Sequence, residues 1–236
     1  MRFRHAGTIW SAHPELSAGV LYASGVAGDA DVGAGVAEYT GRALARLADA
    51  TEGQLPEVLA WRRAFARMGL KPTQYRCASE SLLRRLRKER ALPSIHPVVD
   101  LCNAVSVAYG VPVAALDADR IAGPLLEVRH ARGDEHYTTF GGETEHPAVG
   151  EVTFVDSEGR AHARRWTNRQ SGHSAVGPHT ARILVVVEAM HEGGGDEAET
   201  VPEMLKTLAE ELAAHWRTDP RTAVLSASAP EFTFGS

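Results

Sequence analysis

The chain has 236 residues, 44% hydrophobic and 23% charged, with a net charge of −5. That length carries a real core, as one large domain or one domain with a small appendage, and the composition is that of a soluble globular protein. No apolar run approaches a membrane span, residues 1–13 hold no apolar signal core, and the expected location is therefore cytoplasmic.

In chain order, residues 18–24 alternate weakly around Val20 and Tyr22 and predict an early strand. Residues 24–35 hold Gly25, Gly28, Gly33 and Gly35 but neither a phosphate-loop ending nor a dinucleotide fingerprint, so a loop is expected. Helical spacing predicts helices over 36–47 and 55–68, the second opened by Pro56 and ended by Gly69. A basic helix over 78–91 follows, with Ser79 as its expected N-cap, Glu80 in its first turn, and Leu82, Leu83 and Leu86 as its buried stripe. Leu92-Pro93 breaks it, and a helix over 97–109 buries Val98, Leu101, Val105 and Ala108 before Gly110. Beyond Val111 the pattern changes to short β-rich segments at 125–129, 136–140, 151–155, 162–166 and 183–188. Gly141-Gly142 and residues 156–159 are expected turns, and Gly193-Gly194-Gly195 an expected linker. A helix over 202–216 and a strand over 223–226 close the chain. Helices first and strands later predict α+β rather than alternating α/β.

Charge is unevenly placed. Residues 62–90 hold ten Lys/Arg against Glu80 and Glu89, a local +8, whereas residues 188–211 carry −7. An acidic protein can still offer one basic face to phosphates, although a solvated helix face weighs about equally on this evidence alone. Cys77 and Cys102 are the only cysteines and are expected reduced and packed. The eleven histidines form no metal-binding spacing, so neither metal nor cofactor is expected. Ser171 and Ser174 lie near His173 and His179, but without a nucleophile elbow.

Residues 74–117 place polar groups where packing alone would prefer apolar ones. Asp100, Asn103 and Ser106 recur every three residues and share a helical stripe. Capping and interhelix hydrogen bonding account for most of it; Asn103, whose amide both donates and accepts, is the best candidate to meet a ligand. Trp166, Asn168, Arg169, Gln170 and Ser171 cluster just after a predicted strand, where loops commonly bind ligands. Glu188 ends the apolar run 183–187, either emerging into solvent or held in a pocket.

Val99-Asp100-x-x-Asn103, then Val111-Pro112 and Leu116-Asp117, resembles the Val-Asp-Val-Thr-Asn … Gln-Pro-x-His-Ala-Phe-Asp segment of the phenylalanyl-tRNA synthetase beta subunit. Residues 121–129 and 180–189 continue the likeness to its B3/B4 editing domain. Residues 57–192 as a whole resemble freestanding relatives, in which Tyr75-Arg76-x-x-Ser79-Glu80-x-Leu82-Leu83-Arg84-Arg85 and Arg169-Gln170-Ser171 are characteristic. The resemblance implies an α+β fold, a three-layer β/β/α sandwich with flanking helices, over 57–192, with residues 1–56 as an N-terminal flank and 193–236 packed on the same domain. It also implies a pocket that hydrolyses mischarged aminoacyl-tRNA. Asn103 matches the family's asparagine, Ala114 stands where its histidine would be, and residues 168–172 replace its Gly-rich turn. Glu188 falls two residues after its glutamate, which keeps the same strand face.

The expected activity is trans-editing by ester hydrolysis. Asn103, Gln170 and Ser171 would place ester and water, Glu188, Asp100 and Asn168 would bind the amino acid, and Arg76, Arg84, Arg85 and Arg169 would hold the tRNA. No DNA or membrane partner is expected. A non-catalytic tRNA-binding module and an amino-acid-binding protein are the alternatives, and a complete aminoacyl-tRNA ligase is not expected.

Overall fold

The computed structural model describes residues 1–191 and 199–235. Strand β1 (Arg2–His5) leads through helix α1 (Gly7–Ala12) to β2 (Leu16–Ser24). Helix α2 (Gly33–Asp49) precedes α3 (Pro56–Arg67), whose first residue gives up an N–H that would have had no partner there. α4 (Ala78–Glu89) and α5 (Pro97–Tyr109) follow, the latter closing on Gly110 with φ +74°. Next come β3 (Val113–Asp117), β4 (Leu125–His130), β5 (His136–Thr138), β6 (Thr144–Glu145), β7 (Val152–Asp156), β8 (Arg160–Arg164), β9 (Arg169–Gln170) and β10 (Arg182–Met190). α6 (Thr200–Trp216), β11 (Arg221–Leu225) and β12 (Glu231–Thr233) complete the order.

The strands form two sheets. One has the order β12-β1-β4-β7-β8-β5-β6, with β9 added on β8; the other runs β11-β2-β10-β3. β10 explains the layering. Its Leu184 and Val186 pack with Phe3, Leu126, Val128 and Phe154 of the first sheet. Its Ile183, Val185 and Val187 pack with Val98, Leu101 and Val105 of α5 and Met204, Leu205 and Leu208 of α6. With both faces covered, the strand reads as an unbroken apolar run rather than an alternation. The result is the expected α+β, sheet-on-sheet-on-helix arrangement. A third cluster, Leu47, Val58, Leu83, Leu86 and Val107, joins α2, α3, α4 and α5. Among the described residues no helix is long and apolar enough to cross a membrane.

The predicted helices are present to within a few residues at their ends. Helix α1 and strands β1, β3, β6, β9 and β12 were not predicted, whereas the strands expected at 18–24 and 223–226 are present as β2 and β11; β1 pairs with β4 and β12, and β2 with β10 and β11. Ser79 is not the N-cap of α4. Cys77 takes that position without a side-chain cap, and Ser79 is the fully buried second residue of the helix. The predicted strand at 162–166 ends at Arg164, because Arg165 and Trp166 both turn to positive φ. The predicted Gly193–Gly195 linker lies outside the described residues.

Two expectations follow from this packing. At Gly19, β2 approaches α6 so closely that a Cβ would lie 2.7 Å from Val201 Cγ1 and 2.8 Å from Leu205 Cδ1. Gly19→Ala should lower stability in urea unfolding by about 1–3 kcal/mol, and a double-mutant cycle with Val201→Ala should show coupling of about 0.5 kcal/mol or more. His13, only 4% exposed, rests its ring against Trp166. Burial first, then the charges of Arg67 and His130, press its pKa from 6.5 to about 4. The unfolded chain therefore takes up this proton at higher pH than the folded one, and stability is lost as pH falls from 6.5 towards 4, by about 2 kcal/mol at pH 5. Thermal melts of His13→Gln should show a shallower decline between pH 7 and pH 5 than the wild type; parallel declines would contradict this.

Candidate functional site

Residues 184, 186 and 188 of β10 face the first sheet, so Glu188 carries a carboxyl group into the space between the sheets, where it is 2% exposed. Burying that group costs several kcal/mol unless it is paired and hydrogen-bonded. Here Trp166 Nε1 donates to Glu188 Oε1 at 2.8 Å, and His5 Nε2 lies 2.6 Å from the same oxygen. Trp61 Nε1 donates to the Glu188 carbonyl at 3.2 Å, and the rings of Trp61 and Trp166 meet at 90° with centroids 5.2 Å apart. Both Glu188 contacts fall on Oε1; Oε2 has no protein hydrogen bond among the described residues.

The segment that brings Trp166 to Glu188 is strained. Arg165 (φ +47°) and Trp166 (φ +59°) are consecutive non-glycine residues in the left-handed region, each costing about 1–3 kcal/mol. Several contacts hold them there. Trp166 N donates to Val152 O at 2.7 Å and Arg165 N to Glu151 Oε1 at 2.9 Å. The Arg165 guanidinium lies over the Tyr75 ring at 4.7 Å. Burial raises the Glu151 pKa, but Arg164 and the Arg165 N–H outweigh it and hold the carboxyl below its ordinary value. Asn168 Nδ2 then donates to Arg76 O at 2.7 Å, and Gln170 Nε2 to Ala115 O at 2.7 Å, tying the turn to the segment that leads into α4 and to β3.

Under this turn lies a cavity of about 70 Å³, walled by Ala114, Leu116, Phe154 and Val186 and by the polar residues Asn168, Gln170 and Glu188. Thr167 and Arg169 also line it, and Thr167 Oγ1 is buried without a hydrogen-bond partner. Glu188, Gln170, Asn168 and Arg169, far apart in sequence from Ala114, thus share the lining of one cavity.

Three expected site residues are elsewhere. Asn103 is half-buried on α5, in the helical layer, and does not line the cavity. Asp100 accepts from Ile95 N, His96 N and Ser94 Oγ and so caps the loop before α5. Ser171 is fully buried, its Oγ donating to Thr138 O at 2.9 Å and accepting from His173 N. Its neighbour Gly172 lies where a Cβ would be 2.8 Å from Thr139 O. Ser171 fastens the end of β9 to β5 and does not line the cavity.

The basic stretch is less basic in space than in sequence. Arg76 lies 3.2 Å and Arg62 2.6 Å from Glu80, and Arg85 2.8 Å from Glu89. Arg84 and Arg87 both face Glu52, at 3.7 Å and 2.6 Å. Arg84 and Arg85 nonetheless remain exposed, and such surface pairs are weak enough to yield to a phosphate. Arg169 pairs with Glu145 at the surface and lies over the Tyr137 ring.

A second polar group invites comparison with a hydrolytic triad. Ser174 Oγ donates to His162 Nδ1 at 2.8 Å, and His162 Nε2 donates to Asp156 Oδ2 at 3.2 Å. Ser174 and His162 are 0% exposed, both ring nitrogens are occupied, and Asp156 also accepts the N–H groups of Ala122, Glu158 and Arg160. Burial raises the Asp156 pKa, but these bonds outweigh it and leave the carboxyl below its usual range. The group braces a turn and presents no nucleophile.

Sequence reasoning missed His5, Thr167 and the role of the Trp166 indole. His5 had one available signal, the alternation of exposed Arg2 and half-exposed Arg4 with buried Phe3 and His5. The other two depend on a backbone turn that no glycine announces.

A model of the B3/4 domain family matches residues 60–193. A phenylalanine–tRNA ligase beta subunit from Geobacter metallireducens is 39% identical over 77 residues, 33% of this chain and 10% of that protein. The beta subunit from Carboxydothermus hydrogenoformans is 43% identical over 61 residues, 26% of this chain and 8% of that one. The chain thus spans only about a tenth of the curated relatives it matches. An N-terminal fragment of the phenylalanyl-tRNA synthetase beta subunit from Pyrococcus horikoshii aligns over 93% of this chain and 49% of its own, at 11% identity and a TM-score of 0.47. With more than half its length matched by the family model, the chain belongs to the B3/4 domain family.

Proposed function

We propose that this protein hydrolyses the ester bond of mischarged aminoacyl-tRNA in trans, in the cytoplasm. The observation that carries the reading is the buried, twice-bonded Glu188 lining a small cavity beside a strained turn, in a domain of a family shared with phenylalanine–tRNA ligase beta subunits. Strain of this kind is retained where surrounding structure over-determines it, and functional sites are where it concentrates.

An aminoacyl ester is already activated, so positioning and electrostatics suffice without a side-chain nucleophile. Asn168 and Gln170 each give one amide N–H to a protein carbonyl, which orients the amide, and their oxygens would hold the α-ammonium and the attacking water. Water oxygen bonds to the carbonyl carbon, the bond from that carbon to the ribose oxygen breaks, and the ribose oxygen takes a proton from water. The products are a free amino acid and an uncharged tRNA. The adjacent ribose hydroxyl donates to the developing oxyanion. Arg76 and Arg169 flank the turn, and with Arg84 and Arg85 on α4 they would hold the acceptor end through its phosphates, independently of sequence.

A non-catalytic tRNA-binding role is the second reading, favoured by the methyl group of Ala114 in the cavity wall, which offers no base.

Deacylation of a panel of charged tRNAs separates the two. At least one aminoacyl-tRNA should be cleared faster than in buffer, and Glu188→Gln, verified as folded by circular dichroism, should slow that clearance roughly tenfold or more. If the protein binds tRNA and clears none, the hydrolase reading falls and the second stands. Binding measured against salt should weaken steeply, with Arg84→Ala and Arg85→Ala each lowering the log–log slope by about 1; unchanged slopes would remove α4 from the interface.

A further inference from the structure

We infer that Glu188 is the general base of the reaction, its Oε2 taking a proton from the attacking water, and that His5 is the residue that positions it. The inference rests on the deacylase reading above and adds the group that activates the water.

Elimination is the first argument. A base for this step needs a free lone pair within reach of the water. Of the side chains that line the cavity, those of His162, Arg169 and Glu188 are titratable. His162 has both ring nitrogens engaged, with Ser174 Oγ at 2.8 Å and Asp156 Oδ2 at 3.2 Å. Arg169 is a guanidinium and keeps its protons. Position 114 offers a methyl group. Glu188 Oε2, which has no protein hydrogen bond among the described residues, is the acceptor that remains.

Support for the carboxylate is the second. A general base must be ionised to accept a proton, and a buried carboxylate stays ionised only where donors face it. Trp166 Nε1 is a donor and nothing else, and it occupies Oε1 at 2.8 Å. His5 Nε2, 2.6 Å from the same oxygen, meets the ionised group as a second donor. Two donors on one oxygen fix the rotation of the carboxyl group and leave the other oxygen to accept. His5 is 1% exposed and does not line the cavity, so it acts through Glu188 and touches no substrate. It comes from β1, outside the residues 60–193 that the family model matches.

A second group in want of a partner is the third. Thr167 Oγ1 is buried on the same lining without a hydrogen bond. An ordered interior water takes about two to four polar partners. Glu188 Oε2, Thr167 Oγ1 and the Asn168 and Gln170 oxygens supply them from one lining.

As the water oxygen bonds to the ester carbon, one water proton passes to Glu188 Oε2. When the bond from that carbon to the ribose oxygen breaks, the ribose oxygen takes this proton from Glu188. The carboxylate is regenerated and no further reactant is consumed.

The aminoacyl-tRNA that the wild-type protein clears fastest is the substrate for the test, with kcat and KM measured separately. Glu188→Gln should lower kcat by roughly a hundredfold or more and leave KM within about twofold. Formate added to Glu188→Ala should restore part of the lost kcat, because a small carboxylate can stand in for the missing one. His5→Leu should lower kcat at unchanged KM, and His5→Gln, whose amide N–H can address the same oxygen, should recover most of it. In proton NMR the wild type should show a downfield imidazole N–H resonance that Glu188→Gln lacks, a readout independent of activity. A raised KM at unchanged kcat for Glu188→Gln, or no recovery with formate in a folded Glu188→Ala protein, would overturn the inference and leave the deacylase reading intact. Equal kcat for His5→Leu and His5→Gln, or no such resonance in the wild type, would remove His5 from its role. Absence of any clearance by the wild type would overturn the deacylase reading itself.

Discussion

A carboxyl group between two packed sheets has to be held from both sides, and the fold around Glu188 is organised by that requirement. One oxygen meets an indole and an imidazole at 2.8 Å and 2.6 Å, drawn from β1 and from the turn after β8. The backbone of the same residue receives a third donor, the Trp61 indole from α3. Removing any one partner leaves a buried polar group short of a bond, which costs about 1–3 kcal/mol and more for a charged group. Three separate parts of the chain thus converge on one residue.

The layers make this possible. β10 has helices on one face and a sheet on the other, which fixes its register: a slip of one residue would send Glu188 into the apolar contact with α5 and α6 and bring Val187 to the cavity. The antiparallel pairing from Arg182↔Ser24 to Met190↔Leu16 guards against that slip along nine residues. β1 pairs in parallel with β4 and antiparallel with β12, so His5 depends on both ends of the chain for its position. The terminal strands are part of the machinery that holds the site, which links its geometry to global stability.

Much of this could be read in advance where local chemistry decides. Helices α3 and α5 announce themselves through Pro56, Pro97, Gly69 and Gly110, because proline and glycine fix backbone angles without help from distant residues. The strand carrying Glu188 shows as a β-branched run. What stays hidden is set at long range. His5 and Glu188 are 183 residues apart in sequence, and a four-residue strand alternating Arg, Phe, Arg and His has little periodicity to detect. Arg165 and Trp166 adopt positive φ without a glycine, held by tertiary bonds alone. Asn103 and Ser171 have the right side chains for catalysis, but the layer of one and the full burial of the other emerge only from packing. The excess charge on α4 misleads for a similar reason: Glu52, which takes up Arg84 and Arg87, lies outside the counted stretch.

The central claim is that the space beneath the Trp166 turn, lined by Glu188, receives an aminoacyl group. A crystal structure of the protein with a non-hydrolysable 3′-amide analogue of an aminoacyl-adenosine tests it most directly. The account requires density for the aminoacyl group between β3, β10 and the turn, with its ammonium beside Asn168 or Gln170. An analogue seated on another surface, with only solvent next to Glu188, would contradict it.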